Sequence, residues 1–405
     1  MSDVKITSVR AIATAPQGSN LIVVRIDTNQ PGLYGYGCAT YTQRFSPVLT
    51  VINDYMGRLL VGHDALNVND AWEHMMNSSY WRNGPVLNNA ISGCDMALWD
   101  IIGKAANMPV WQLWGGKVRQ AVPVYRHAAS TDYQQLDEQI QRYLEQGYQY
   151  IRIQAGNYGG NHIYLNTPAG SPDPDSVSYF DPLKYMREVP ALFEHVRSVF
   201  GGDVELLHDV HERLTPVNAA FLAKSIEQYR PFFLEDALAP EQGYGFKQLR
   251  EASATPLAMG ELFNNPMEWM PLVENRWIDF IRCHISQIGG VTPARKLAAY
   301  CAPFDVRTAW HGPGDVSPIG HMANVHLDLT TVNFGIQEWC GMEEDPLVQD
   351  MFPGCARIRD GFAWANDKPG WGMEVDEALA QKYPPVVHEY DLWKFRTPDG
   401  TSVKG

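Results

Sequence analysis

The sequence predicts an α/β fold in which a closed parallel barrel follows a smaller α+β domain. From about residue 121 onward, strand-like runs alternate with helical stretches, and eight such runs occur. The residues before them instead give strands first and helices afterwards. Eight parallel strands joined by helical crossovers favour a closed barrel over an open sheet.

The first domain is predicted to span residues 1–120. KITSVRAIAT and LIVVRIDT are rich in β-branched residues and predict strands, whereas TNQPGLYGYG contains the Gly and Pro that are typical of turns. PVLTVINDYMGRLL, VNDAWEHMMN and NNAISGCDMALWDIIGKAA then predict helices. Segregated strands and helices of this kind indicate an α+β domain.

The barrel domain is predicted to span residues 121–370. Its eight strand-like runs are residues 122–128, 148–154, 204–209, 231–236, 256–261, 279–284, 306–311 and 334–339. Segments such as VNAAFLAKSIEQY and PARKLAAYCA predict the helices between them. The long Gly/Asn/Pro/Ser-rich stretch after the second strand is either a disordered insertion or an active-site lid. The tail, residues 371–405, holds one short helical segment, and we expect it to fold back over the first domain or the barrel edge.

Composition and charge exclude several classes of partner. The net charge is −14 and there is no basic block, which argues against a nucleic-acid partner. No apolar run has the length of a bilayer span, and the N-terminus lacks the apolar core of a signal peptide, so we expect no membrane partner and a cytoplasmic location. The six cysteines form no CxxC motif, which favours reduced core thiols over a disulfide framework.

Three successive strands of the predicted barrel end in a carboxylate. These are Asp209, Glu235 and Glu261, separated by 26 and 26 residues. The carboxyl ends of barrel strands form the rim where barrel enzymes place their chemistry. A helix cap or an ion pair could explain any one of these acids, but three at matching positions favour a metal site. A set of oxygen ligands suits Mg²⁺, which relieves the repulsion between the carboxylates.

Each of the other five predicted strand ends also carries a titratable side chain. These residues are His127, Arg152, Arg282, His284, His311 and Glu338. Together they predict a polar site with a metal on one side and cations on another. A Mg²⁺ ion beside Arg and His side chains suits the binding of a carboxylate. It also stabilises the enolate that forms when a base removes the α proton.

These motifs resemble the enolase superfamily over nearly the whole chain. AISGCDMALWDIIGKAANMPVWQLWGG is similar to the signature helix of its mandelate racemase-like members, and the three carboxylates match their Mg²⁺ ligands. LLHDVHERLTP, FFLEDALAPE, PLAMGELFN, VRTAWHGPGDVSP and NFGIQEW resemble the mannonate dehydratase subgroup, which includes RspA-like proteins of the D-galactonate dehydratase family. The resemblance implies a (β/α)7β modified TIM barrel, with an N-terminal α+β capping domain that the C-terminal tail completes. It also implies one Mg²⁺ per subunit and a homo-oligomer.

The catalytic base differs from that of mandelate racemase-like enzymes. Those enzymes usually carry Lys-x-Lys on the second strand, where this chain has Arg152-Ile-Gln154. They also pair the seventh-strand His with an Asp, where this chain has His284. Mannonate dehydratases instead use an Arg and a Tyr twelve residues later, which corresponds to Tyr164; Tyr158 is the local competitor.

The resemblance assigns a role to each site residue. Tyr164 with Arg152 would take the C2 proton of an acid sugar, and His211 would assist loss of the 3-hydroxyl, giving a 2-keto-3-deoxy acid. The substrate's carboxylate and hydroxyls would contact His127, Arg282, His311, Asp315, Glu338 and Thr42. Asp315 also suits a simple turn residue.

Three features depart from the subgroup. Thr42 stands where an Asn that touches substrate is common, Pro313 replaces a small residue, and the tail TPDGTSVKG lacks the usual Trp. We therefore expect a substrate of the D-mannonate or D-gluconate class, with weak or absent turnover of D-mannonate itself.

Two other function classes remain open at this point. A metal-dependent hydrolase barrel usually has His-x-His on its first strand, whereas VYRHA offers only His127. A sensor that binds an acid sugar without turnover would not need the predicted acid and base. The sequence therefore favours a sugar-acid dehydratase, with the sensor as the alternative.

Overall fold

The computed structural model describes residues 4–155, 178–387 and 395–404. The strands are β1 (Ile6–Thr14), β2 (Leu21–Thr28), β3 (Tyr34–Cys38), β4 (Val122–Ser130), β5 (Tyr150–Ala155), β6 (Ser178–Tyr179), β7 (Glu205–Asp209), β8 (Phe233–Glu235), β9 (Leu257–Met259), β10 (Phe280–Ile281), β11 (Arg307–Thr308), β12 (Gln337–Glu338), β13 (Arg357–Arg359), β14 (Phe362–Trp364), β15 (Phe395–Arg396) and β16 (Ser402–Val403).

The α-helices are α1 (Phe45–Thr50), α2 (Gly57–Leu60), α3 (Val68–Asn77), α4 (Pro85–Ala106), α5 (Val110–Leu113), α6 (Tyr133–Glu145), α7 (Pro182–Phe200), α8 (Pro216–Ile226), α9 (Gly245–Ala252), α10 (Pro266–Glu274), α11 (Val291–Cys301), α12 (Pro318–Thr330), α13 (Pro346–Met351) and α14 (Glu377–Ala380). A π-helix, Val51–Met56, joins α1 to α2. Short 3-10 helices lie at Thr42–Arg44, Glu227–Tyr229, Pro240–Gln242, Ala302–Phe304 and Met342–Glu344.

The predicted order of elements is confirmed. Each of the eight strand-like runs contains a strand, namely β4, β5 and β7 to β12. In the N-terminal part, β1, β2 and β3 precede α1 to α5, as the α+β prediction requires. The exception is β3, which lies in a segment that the sequence suggested to be a turn.

The chain forms two compact units. The first comprises residues 1–123, 261–266 and 283–387, and the second comprises residues 124–260, 267–282 and 388–405. The domain boundaries at residues 120 and 370 stay predictions.

In the first unit, β1, β2 and β3 form an antiparallel sheet against which α4 packs. Glycine explains why β3 is a strand. A Cβ added at Gly35 would lie 2.1 Å from the Ala97 carbonyl oxygen, and one at Gly37 would lie 2.0 Å from that of Gly93. Glycine in a strand often marks such a close backbone approach, so β3 reaches the helix because it lacks side chains there.

The C-terminal segment of the first unit contacts the N-terminal strands. Glu377 in α14 forms ion pairs with Arg10 of β1 at 2.6 Å and with Arg25 of β2 at 2.8 Å. The backbone N–H of Ala15 donates to the Tyr383 carbonyl at 2.8 Å. These contacts fix the short helix that the sequence predicted in the tail onto the outside of the sheet.

The second unit is built on a parallel sheet in the order β4–β5–β7–β8–β9–β10. Helices α6 to α9 and most of α10 lie between its strands in the sequence. Polar caps start several of these helices; Asp181, for example, accepts hydrogen bonds from the N–H groups of Leu183 and Lys184 at the start of α7. A small sheet of β16, β15 and β6 also belongs to this unit.

Membrane insertion finds no support in the helices. Over residues 4–155, 178–387 and 395–404, none of them combines the length and the apolar character that crossing a bilayer demands.

Candidate functional site

Two carboxylates end neighbouring strands of the second unit in register. Asp209 is the last residue of β7 and pairs with Glu235, the last residue of β8. Residues at paired positions of parallel strands direct their side chains to the same face of the sheet. Both residues are buried, with exposed fractions of 1% and 0%. Two buried acids at paired positions require nearby positive charge.

Two buried guanidiniums supply positive charge in the second unit. Arg152 Nη1 lies 3.1 Å from Asp209 Oδ2 and 3.9 Å from Glu235 Oε2. Arg282 Nη2 lies 2.7 Å from Glu235 Oε1 and donates to the Tyr125 hydroxyl at 2.7 Å. Two arginines therefore balance the two carboxylates before any cation binds.

His127 lies beside Arg152, but neither residue ends its strand as predicted, because β4 continues to Ser130 and β5 to Ala155. His127 pairs with Arg152 in the β4–β5 register, and Arg152 Nη2 lies 3.4 Å from His127 Nδ1. The Tyr143 hydroxyl donates to the His127 carbonyl oxygen at 3.2 Å. The second unit thus brings together the predicted residues of its first four strands.

His211 follows the β7 strand end in a tight turn. Its backbone N–H donates to Asp209 Oδ1 at 2.8 Å. His211 and Glu212 adopt left-handed backbone conformations, with φ of 56° and 55°. Non-glycine residues seldom adopt this conformation, and functional sites are one of the places where they do. His211 is nearly buried, so a turn of unusual backbone geometry holds it beside the Asp209 carboxylate.

The structure adds three buried residues to this group that the sequence analysis gave no role. His208 Nδ1 lies 2.7 Å from the Ile153 carbonyl oxygen, and its Nε2 lies 2.7 Å from the Tyr185 hydroxyl. Gln154 Nε2 donates to the Asp209 carbonyl oxygen at 3.0 Å. Burial lowers the pKa of His208 to about 4. For His208 the sequence offered a signal. Side chains alternate along a strand, so His208 lies on the face opposite to Asp209.

Glu261 and His311 form an ion pair in the first unit. His311 Nε2 lies 3.0 Å from Glu261 Oε2. Burial lowers the pKa of His311, but the negative charges of Glu261 and Glu338 outweigh it and raise this pKa to about 9. In the adjacent ring of His284, whose centroid is 5.1 Å from that of His311, burial and the charge on His311 lower the pKa to about 3.

Asp315 and Glu338 are two further predicted residues of the first unit. Glu338 is fully buried and its Oε2 accepts the Gly312 N–H at 2.9 Å, while burial raises the pKa of Asp315. Ligand atoms of His284, His311 and Asp315 lie within 4.8 Å of one another. However, His311 already contacts Glu261, and His284 Nδ1 accepts the Ser286 N–H at 3.1 Å. This second set therefore suits binding of an anionic or hydroxylated ligand better than a metal.

Thr42 is the one predicted residue of the described chain that lies apart from these contacts, and two further predicted residues fall outside the described ranges. The Thr42 hydroxyl donates to the Asn20 carbonyl oxygen at 3.2 Å. Tyr164 and its competitor Tyr158 lie outside the described residues.

Comparison with known proteins defines the class. Residues 3–115 match the family model described as mandelate racemase / muconate lactonizing enzyme, N-terminal domain, and residues 135–379 match the one described as enolase C-terminal domain-like. The chain belongs to the enolase superfamily. Its fold is that of the superfamily, with a capping domain that contains strands and a barrel-like α/β domain with a parallel sheet, which confirms the predicted fold class.

Relatives narrow the family further. The chain is 51% identical over 418 residues to a D-galactonate dehydratase family member of Salmonella virchow, with 100% of both chains covered. It is 50% identical over 415 residues to the family member RspA of Pantoea ananatis, with 99% of each covered. A solved enolase from Pantoea ananatis with bound D-gluconate and Mg is 49% identical, with a TM-score of 0.95 over 99% of this chain and 100% of that chain. The resemblance to RspA-like proteins of the D-galactonate dehydratase family is thereby confirmed.

Proposed function

We propose that this chain is a Mg²⁺-dependent acid-sugar dehydratase, a carbon–oxygen lyase. It removes the C2 proton of an aldonate and eliminates the 3-hydroxyl as water, giving a 2-keto-3-deoxy acid. The observation that carries the proposal is the in-register pair of buried carboxylates Asp209 and Glu235, with Arg152 against both. The names of the relatives, and the D-gluconate and Mg bound to the Pantoea ananatis enolase, support the same reaction class.

One Mg²⁺ per subunit would be held by Asp209, Glu235 and Glu261. Glu261 follows β9 by two residues, so all three acids come at or just after the ends of consecutive strands. The donor set fits the ion, because carboxylate oxygens are the ligands that Mg²⁺ prefers. When bound, the ion would stabilise the negative charge that develops on the substrate carboxylate as the α proton leaves.

The charges of the second unit favour an anionic substrate. Arg152 and Arg282 already neutralise Asp209 and Glu235, so a divalent cation bound there adds positive charge that these two acids do not cancel. The chain as a whole carries −14, which repels an aldonate at long range. A local positive field overcomes that background within about a Debye length, ~8 Å at physiological salt.

The proposed base is Tyr164, assisted by Arg152. A tyrosine normally titrates near pKa ~10, and an adjacent guanidinium favours the phenolate. Arg152 is buried and fixed by Asp209, so its positive charge is held in place. Tyr164→Phe should stop exchange of the C2 proton with solvent deuterium, whereas Tyr158→Phe should retain it. The opposite pattern would assign the base to Tyr158.

His211 is proposed to deliver a proton to the leaving 3-hydroxyl. Its backbone is fixed to the Asp209 carboxylate, so a metal ligand and the acid share one turn of the chain. A general acid needs such fixed proximity, because proton transfer requires hydrogen-bond distance to the leaving oxygen.

The remaining residues are proposed to contact the carboxylate and hydroxyls of the sugar. They are His127, Arg282, His311, Asp315, Glu338 and Thr42. Buried Glu338 and partly buried Asp315 can accept hydrogen bonds from the hydroxyl groups, and His311 can donate one. Arg282 is bonded to Glu235 and Tyr125, which supports a role in holding Glu235 as well as in binding the substrate.

The substrate is proposed to be an aldonate of the D-mannonate or D-gluconate class. Thr42 and Pro313 differ from the mannonate dehydratase pattern, so activity on D-mannonate is expected to be low or absent. Neither difference falls on a proposed metal ligand or on a proposed acid–base residue. We also propose a cytoplasmic homo-oligomer, which light scattering after size exclusion would test.

A substrate panel tests the proposal. The purified protein is incubated with Mg²⁺ and D-gluconate, D-mannonate or D-galactonate, with and without EDTA. A 2-keto-3-deoxy product, or C2 deuterium incorporation in D₂O, that EDTA abolishes is the expected result. Thermal stabilisation by an aldonate with neither product nor exchange would contradict the dehydratase and favour a sugar-acid sensor.

A further inference from the structure

The ends of β5 and β7 are joined by side chains instead of by backbone pairing. The β5–β7 register ends before the last two residues of β7. Beyond it, Gln154 Nε2 donates to the Asp209 carbonyl oxygen at 3.0 Å, and His208 Nδ1 lies 2.7 Å from the Ile153 carbonyl oxygen. One side chain from each strand thus bonds the backbone of the other, directly at the residues that bear the proposed chemistry.

A tyrosine from α7 completes this arrangement. The Tyr185 hydroxyl lies 2.7 Å from His208 Nε2 and 3.3 Å from the Asp209 carbonyl oxygen. Tyr185 and His208 have no exposed surface, and Gln154 is 2% exposed. We call Gln154, Tyr185 and His208 the strand-end clamp.

The hydrogen bonds of the clamp fix the orientation of the His208 ring. A carbonyl oxygen can only accept, so Nδ1 carries the hydrogen that Ile153 receives. In a neutral imidazole Nε2 is then an acceptor, and the Tyr185 hydroxyl donates to it. Each polar atom of the ring therefore has one defined partner, and the ring cannot rotate without losing both.

We propose that Gln154, Tyr185 and His208 are positioning residues for Asp209 and Arg152. The clamp sets the separation of the two strand ends, so that the Arg152 guanidinium stays 3.1 Å from the Asp209 carboxylate. Residues that orient metal ligands through hydrogen bonds tune metal affinity without touching the ion. This inference rests on the proposed function, in which Asp209 binds Mg²⁺ and Arg152 assists the base.

The clamp is tested with Tyr185→Phe, His208→Asn and the double variant. Phenylalanine removes one hydroxyl, and asparagine keeps a donor near the position of Nδ1 but removes the acceptor at Nε2. Each single variant should raise the Mg²⁺ dissociation constant and lower kcat by about 10-fold, the lower end of effects on such residues, with little change in the KM for the aldonate. Because both changes break the same Tyr185–His208 hydrogen bond, the effect of the double variant should be smaller than the product of the two single effects.

His326→Asn is the matched control. His326 is an equally buried histidine, in the first unit, and its Nδ1 accepts the Trp111 N–H at 3.2 Å. This variant should lose thermal stability as the clamp variants do, yet keep wild-type Mg²⁺ affinity by calorimetry with MgCl₂. If the clamp variants match His326→Asn in Mg²⁺ affinity and in kcat, the clamp inference is overturned while the proposed function stands.

Titration of the wild-type protein with MgCl₂ distinguishes a failure of this inference from a failure of the proposed function. A wild-type chain that takes up no Mg²⁺ would overturn the proposed metal site and the clamp with it. If His208→Asn does not fold, Tyr185→Phe decides by itself, because it deletes a single oxygen. A wild-type Mg²⁺ affinity in Tyr185→Phe would then refute the clamp.

Discussion

Arg282 is the nearest compensating charge that the structure gives for the buried Glu235 carboxylate. Both side chains are fully buried and their charged atoms lie 2.7 Å apart. Arg282→Met should destabilise the protein by roughly 3–5 kcal/mol, because removing one partner leaves a buried carboxylate without its nearest compensating charge. Urea unfolding in the absence of Mg²⁺ measures the change. Arg10→Met, which removes a half-exposed partner of Glu377, should cost no more than about 1 kcal/mol. Equal costs for the two variants would contradict the argument.

His211 can be changed without disturbing its turn. Its φ of 56° is in the left-handed region, where asparagine is well tolerated. His211→Asn should therefore keep the backbone bond to Asp209 and the Mg²⁺ affinity. It should abolish dehydration but retain C2 exchange, because it removes only the proposed acid. Product assays and deuterium exchange by NMR give the two readouts. Loss of Mg²⁺ binding would mean that His211 supports the metal site.

Individual site residues could be predicted where a titratable side chain stands at the end of an apolar strand. Asp209 and Glu235 could be found in the sequence because an apolar run that stops at an acid predicts both the strand and the rim position. Tyr185 could not, since it lies inside a helix and is linked to His208 only through space. His208 was visible beside Asp209, but its partners, a carbonyl and a tyrosine from α7, were not.

At the scale of elements, β3 depends on the absence of two side chains. Gly37→Ala would bring a Cβ to 2.0 Å from the Gly93 carbonyl oxygen and 2.7 Å from the Ala97 nitrogen of α4. These are backbone atoms that cannot move aside, so the variant should lose at least roughly 1–3 kcal/mol. Gly202→Ala is the control, because its Cβ would meet nothing within 4 Å. Thermal unfolding should separate the two; a wild-type melting temperature for Gly37→Ala would refute the packing argument.

The strand β3 also shows what limits the prediction of strands and helices from the sequence. Periodicity identified the eight barrel strands because buried parallel strands are apolar runs bounded by helices. It failed at β3, since YGYG has the composition of a turn and becomes a strand only when α4 lies against it. The observed strands β10, β11 and β12 have only two residues each, much shorter than the apolar runs that contain them. Strand length depends on hydrogen-bond partners, which the sequence does not display.

At the scale of the whole molecule, a negative net charge coexists with buried positive charges beside the proposed metal ligands. The chain carries −14, yet Arg152 and Arg282 are buried beside the proposed metal ligands. Net charge is a sum over the whole chain, whereas these arginines form ion pairs at particular places inside the second unit. The composition could therefore exclude a nucleic-acid partner but could not predict affinity for an aldonate, which depends on where a few cations are held.

Buried histidines should make the whole molecule less stable in mild acid. Burial, and then the charge of Lys117, lower the pKa of His326 to about 3, against ~6.5 in the unfolded chain. A histidine whose pKa falls on folding contributes stability above its unfolded pKa, and this contribution is lost as the pH falls below it. Between pH ~7 and pH ~5.5 the unfolded chain takes up a proton that folded His326 does not, which costs about 1 kcal/mol.

Comparing the wild type with His326→Asn separates the contribution of His326 from that of the other titrating groups. Asp95 acts in the opposite sense, because burial raises its pKa to about 7 and the folded state loses stability as the pH rises toward that value. Both the wild type and His326→Asn contain Asp95, so its effect cancels in their difference. His326→Asn should start less stable at neutral pH, yet lose about 1 kcal/mol less than the wild type on acidification. Urea unfolding at the two pH values measures this, and parallel losses would show that folded His326 binds its proton as readily as the unfolded chain does.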